Sequence, residues 1–433
     1  MQINKLVLRN FRGFEFKEFN LNPRFTAAIG DNGTGKSTLL HAMQIASGAF
    51  FLGLPSYVKR RNIQEDEIRA AIDPISRYLR YFTPTEVEAT GSINGSGEFT
   101  WRRIVIEHGR GTTTRAVDIG KIKDLAASYA SKVHEVPHPL FPLIAFFGVR
   151  HLGAKIVRQK RTKTHKVLIR DGYYNALGQK ADETSFTEWF YNYDENLARN
   201  QEFEGTREAV YNAIESAIPY LKNVSFDRHY FQIQADINMP GQAVRRVLHS
   251  YMSDGVKRML AIVADVAYRC IMLNGFKGFD TVVETKGIVM IDELDMHLHP
   301  NWQRHVVGDL KKAFPNIQFV VTTHSPFIVQ SLKKEELIVL DGKDGKEGDP
   351  FRKSIEEVAS SEMGVRDIPR SKDFLRMEEV ATRYFNLIEQ GKKSEDDAEV
   401  ASLREQLNVL EEKFSEDPAF VALLKAERKS NNL

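Results

Sequence analysis

The stretch GDNGTGKST, residues 30–38, constrains this chain more than any other. It matches the spacing G-x-x-x-x-G-K-[ST], with a strand-like run before it (RFTAAIG) and a helix-like run after it (KSTLLHAMQIASGAF). Such a stretch belongs to a strand–loop–helix unit in a layered α/β core. Its letters have chemical reasons. Gly30, Gly33 and Gly35 let the loop turn so that backbone N–H groups point at phosphate oxygens. Lys36 places a point charge between the β- and γ-phosphates, and Ser37 offers a hydroxyl to Mg²⁺. Asp31, Asn32, Thr34 and Thr38 complete the loop. The following helix turns its positive end to the same phosphates. The ligands this predicts are ATP and Mg²⁺.

A second stretch supplies acids. GIVMIDELD has four apolar residues, 288–291, followed by Asp292 and Glu293. A buried parallel strand ending in an acid is the usual partner of a phosphate loop. Asp292 would hold Mg²⁺, through water, and Glu293 would orient or deprotonate the attacking water. An exposed acidic strand end is the alternative, and the phosphate loop weighs against it. In FVVTTHSP, His324 ends another apolar strand and could donate to the γ-phosphate and sense its presence. A histidine that only caps a strand–loop junction is the alternative there. His297 and His299 stand at an i, i+2 spacing without a third ligand nearby in sequence, so zinc is not expected.

The 433 residues allow two or three domains, or one elaborated α/β domain. A net charge of +2 gives no global signal for a polyanion, so any nucleic-acid surface must be local. The single cysteine, Cys270, excludes an intrachain disulfide and fits a reducing interior. The opening residues lack a signal-peptide core. No run approaches the roughly 18 apolar residues of a membrane span. A cytoplasmic protein with no membrane contact is expected.

Four segments follow from composition and pattern. Residues 1–150 form a first lobe with the phosphate loop and a β-hairpin turning at NGSG. Residues 151–225 hold a basic segment and a helical insertion. Residues 226–348 form a second lobe, and 349–433 a helical tail for partner or self-association. The basic segment 158–166 contains Arg158, Lys160, Arg161, Lys163 and Lys166, either a DNA contact or a solvated loop. In the tail, Val400, Leu403, Leu407, Leu410 and Phe414 repeat at 3-4-3-4 spacing. Two heptads are too few for a coiled coil, so a helical hairpin is expected.

GDNGTGKST, IVMIDELDMHLHP, FVVTTHSP and the opening LRNFRGF together resemble the ABC-type ATPases of the SMC, Rad50 and RecF branch. PLIAFFGVR, DGYYNAL, FTEWF and the short tail narrow the resemblance to small stand-alone members, the group that includes the ATPase component of Septu anti-phage systems. The fold this implies is an α/β ABC-type P-loop head with a short helical insertion and a C-terminal helical tail. The resemblance also implies a signature at YMSDGVKRM, where Ser253, Asp254 and Gly255 face the γ-phosphate held by another copy. Lys257 and Arg258 would add positive charge one turn on. Met252 stands where leucine is usual and Val256 where a polar residue often sits. There is no clear Q-loop glutamine, and Gly148 and Arg150 occupy its place. Arg12 resembles an arginine that approaches the nucleotide; a solvated turn arginine is the alternative.

The implied catalytic set is Glu293, Lys36 and His324. Two chains would meet head to tail as a homodimer, or within a higher oligomer, around shared ATP. The implied enzyme is an ATPase that controls a separate effector, an HNH nuclease. Two other readings stay open: a RecF-like DNA-repair ATPase, and a slow-turnover ATP-dependent scaffold. An intrinsic nuclease is not expected, because VLDGKDGKEGD lacks a full acidic constellation. Long-range DNA tethering is not expected either, because the stretch of about 215 residues between Lys36 and Ser253 shows no sustained heptads.

Overall fold

The computed structural model describes residues 1–109, 114–149, 168–178, 181, 183–199, 202–238, 241, 243–340, 348–365, 372–389 and 398–413. They fall into two compact units, Met1–Gly364 and Val365–Leu433.

The first unit begins with β1 (Gln2–Phe11), β2 (Phe14–Asn20) and β3 (Phe25–Ile29). Next come β4 (Ala70–Ile72), β5 (Leu79–Tyr81), β6 (Thr85–Ser92), β7 (Phe99–Val105), β8 (Arg115–Val117) and β9 (Leu143–Phe147). The later strands are β10 (Leu221–Asp227), β11 (Gln232–Ile237), β12 (Arg245–Leu248), β13 (Gly287–Ile291), β14 (Ile317–Thr322) and β15 (Leu337–Val339).

Two five-stranded sheets organise the unit. One has the order β2-β1-β6-β7-β8, and its neighbouring strands are antiparallel. The turn predicted at NGSG joins β6 and β7. Trp101 and Arg103 of β7 alternate with less buried neighbours, as one buried face requires. The other sheet has the order β15-β3-β14-β13-β9 and is parallel. Its strands β3, β9, β13 and β14 are buried at every residue, which is why they read as unbroken apolar runs.

The helix Lys36–Ser47 packs between the two sheets and is buried at ten positions, too many for a surface helix. The Trp101 Nε1–H donates to the Ala46 carbonyl at 2.9 Å, tying the antiparallel sheet to that helix. Gln318 of β14 binds both the N–H and the carbonyl of Ile3, joining the two sheets directly. The α/β class with a phosphate loop expected from the sequence is the class observed.

One expectation needs correction. The helical stretch Asp254–Glu284 is long and apolar enough by composition to cross a membrane, although no such run was anticipated. Its most apolar 18-residue window is 94% buried inside the protein, so its apolarity is accounted for by packing.

In the second unit, helices Lys372–Glu389 and Ala398–Lys413 form a hairpin with its own core of Val380, Ala381, Tyr384, Val400, Leu403 and Leu407. The side chains of Leu410 and Phe414 lie outside the described residues.

Candidate active site

Strand β3 delivers the chain into the phosphate loop. Gly35 has φ +106, and a Cβ there would collide with the Phe14 ring, so another residue would strain the backbone and push that ring aside. The Lys36 ammonium donates to the carbonyls of Gly30 at 2.7 Å and Asp31 at 3.0 Å, which holds it inside the loop. Thr34 Oγ1 donates to the Asp31 carbonyl at 2.9 Å. Asn32 is exposed and Thr38 is buried.

Strand β13 ends beside this loop. Ser37 Oγ donates to Asp292 Oδ2 at 3.3 Å, joining residues 255 positions apart. A hydroxyl and a carboxylate oxygen meeting at the start of a phosphate-loop helix are the hard donors that Mg²⁺ takes, so these residues fit the ion. Glu293 follows with φ +50, a left-handed conformation rarely held by a residue with a side chain.

The acidic loop is matched against the end of β14. Thr322 Oγ1 donates to Asp292 Oδ1 at 2.6 Å and accepts the Glu293 N–H at 2.8 Å. Asp295 accepts from Thr323 Oγ1 at 2.6 Å and from the His324 N–H at 3.2 Å. His324 itself is exposed at this edge. Sequence reasoning missed Thr322, Thr323 and Asp295. The available signals were the doubled threonine before His324 and the second acid of DELD.

The helix Asp254–Asn274 begins at Ser253, whose extended backbone sits at the N-cap while its side chain makes no capping bond. Met252 and Val256, the two departures from the usual signature, are each only 3% exposed and anchor this helix start in the core. A Cβ at Gly255 would collide with the His297 carbonyl, so this glycine serves close packing within its own chain. Asp254 lies at the surface, 3.7 Å from Lys257.

Arg258 differs from its expected role. It is 1% exposed and donates to the carbonyls of Asp292 at 2.9 Å, Met296 at 3.2 Å and Leu294 at 3.3 Å. Burial lowers its pKa to about 10, opposed by Asp295, Glu293 and Asp292. A residue five positions past Ser253 lies about 140° round the helix from it, facing the core rather than a second chain.

Arg12 sits at the β1–β2 turn, 3.3 Å from Glu67 and 3.7 Å from Asp66. Glu67 is fully buried and also meets Arg61 and His41, the latter on the phosphate-loop helix. Burial alone would raise the Glu67 pKa, but the bonds from His41 and Arg61 hold it below the usual range. His299 Nδ1 accepts from the Asn301 N–H at 3.3 Å. Among the described residues no group of three His, Cys, Asp or Glu side chains gathers to hold a metal ion. Gly148 follows β9. Arg150 and the basic segment 158–166 lie outside the described residues.

A family model described as an AAA domain matches residues 5–222, half of the chain. The chain belongs to the AAA-domain family. A second AAA-domain model, described by reference to the AbiEii toxin of a type IV toxin–antitoxin system, matches residues 172–330. Among curated relatives of this AAA-domain chain, the "retron Ec83 probable ATPase" of Escherichia coli is 25% identical, covering 81% of this chain and 73% of that protein. The "retron Vc95 probable ATPase" of Vibrio cholerae serotype O1 biovar El Tor is 24% identical, over 89% and 84%. The resemblance to the Septu group also stands. The Septu protein PtuA of Bacillus mycoides (strain KBAB4) is 43% identical over 89 residues, 21% of this chain and 12% of that protein. Of solved structures, the SMC head domain from Thermotoga maritima is similar at 18% identity and TM-score 0.43, covering 76% of this chain and 92% of that one.

Proposed function

We propose that this chain is an ATP-hydrolysing switch that closes into a homodimer around shared ATP and controls a separate effector in anti-phage defence. The carrying observation is the meeting of Ser37 and Asp292 beside the Lys36 loop, with Glu293 next in the chain. When bound, Mg²⁺ would be held by Ser37 and Asp292 and would offset phosphate charge. Lys36 exchanges its two loop carbonyls for phosphate oxygens. Glu293 accepts a proton from the attacking water. His324, at the same edge, donates to the γ-phosphate. The uncapped hydroxyl of Ser253 donates to the γ-phosphate of another copy, and the helix start behind it favours that anion. The retron and Septu relatives support the defence reading. An HNH nuclease is the effector we favour.

Glu293→Gln tests the mechanism. Phosphate release should fall by about 10²–10⁴-fold, as expected for loss of a general base, while an ATP-dependent dimer accumulates in light scattering. Wild-type release from this variant would remove Glu293 from the catalytic role.

A further inference from the structure

We infer that Thr322 is a positioning residue for both acids of this site, setting which Asp292 oxygen meets the metal position and holding Glu293 in its left-handed conformation. The inference rests on the ATPase reading above and adds a residue to it.

Thr322 ends β14, is 0% exposed, and has a β-branched side chain with few rotamers. Its hydroxyl has one proton to give, and that proton goes to Asp292 Oδ1 at 2.6 Å, a short charge-assisted bond. With Oδ1 so occupied, Oδ2 is the oxygen directed at Ser37, 3.3 Å away. The same hydroxyl accepts the Glu293 N–H at 2.8 Å, and the Thr322 carbonyl accepts the Leu294 N–H at 2.9 Å. Thr322 therefore brackets Glu293 with two bonds, one on each side of the residue whose φ is +50. A non-glycine residue persists in that region only where its surroundings over-determine it. Removing the hydroxyl strips Asp292 Oδ1 of this donor and the Glu293 N–H of this acceptor.

The test uses the full chain as wild type, Thr322→Val, which is nearly isosteric, and Thr322→Ser, which keeps the hydroxyl. One readout is binding of a fluorescent ATP analogue titrated with Mg²⁺; the other is phosphate release at saturating ATP. The valine variant should bind the analogue normally in chelator. It should need about tenfold more Mg²⁺ for half-maximal effect and release phosphate about 10–100-fold more slowly. The serine variant should restore both. Unchanged Mg²⁺ dependence and turnover in Thr322→Val would overturn the inference. So would a serine variant as impaired as the valine one, since packing would then be the cause. Thr322→Ala carries the same test if the valine variant unfolds below the assay temperature. No ATP-dependent phosphate release from the wild type would sink the ATPase reading, while the Mg²⁺ titration of analogue binding would still report on Thr322.

Discussion

Arg258 is the residue that most clearly joins two chemically distinct ends of the protein. It starts on the helix that carries Ser253 and ends on three carbonyls of the loop that carries Asp292 and Glu293. Replacing it with methionine fills the volume but leaves those carbonyls without its donors. Arg258→Met should cost about 2–5 kcal/mol, seen as a lower denaturant midpoint with an unchanged slope. A loss below about 0.5 kcal/mol would mean that the carbonyls find other donors. Gly255 makes the adjoining contact. Gly255→Ala should destabilise by about 1–3 kcal/mol through the His297 carbonyl, even in monomer without nucleotide. Full monomer stability in that variant would rule out packing within the chain as the reason for glycine.

At the scale of elements, the helix Asp254–Asn274 is the axis of the first unit. Midway along it, Asp265 and Arg269 form a buried pair, and Arg269 also donates to the carbonyls of Gly172 and Tyr174. Glu183, at the start of the helix Glu183–Ala198, feels this arrangement. Burial, then the Asp265 charge, raises its pKa to about 7. Below its ordinary value of 4.5 the carboxyl is protonated in folded and unfolded chains alike. Between there and about 7, the folded chain keeps a proton that the unfolded chain has released, so stability falls as pH rises. Above that window the loss is complete. Glu183→Gln should therefore unfold at a higher denaturant concentration than wild type at pH 8, with the advantage shrinking toward pH 4. An advantage equal at both pH values would assign the effect to packing.

At the scale of the molecule, the parallel sheet gathers the chemistry. The loop after β3, the acids after β13 and His324 after β14 all leave the carboxyl ends of neighbouring strands, where open α/β sheets bind ligands. One chain has one phosphate loop and one Ser253. In the proposed dimer each ATP then needs two chains, which makes ATP a conditional adhesive. Ser253→Arg should abolish ATP-dependent dimerisation in sedimentation velocity while a single chain still binds ATP. An unchanged dimer would place the contact elsewhere.

Much of this was legible from the sequence because the chemistry is local. The spacing within residues 30–38 and the apolar run ending in Asp292 and Glu293 carry their meaning in adjacent letters, as do the buried strands of the parallel sheet. Periodicity likewise located the helix after Ser253. The roles of Thr322, Asp295 and Arg258 were not legible. They depend on β14 lying beside β13, and on which way a helix is rotated about its axis. The sequence by itself determined the phosphate-binding loop, the acids and the α/β class, since backbone propensity and motif spacing act over a few residues. Only the tertiary structure decided what holds those acids in place, because hydrogen bonds between distant residues exist only once strands and helices have packed.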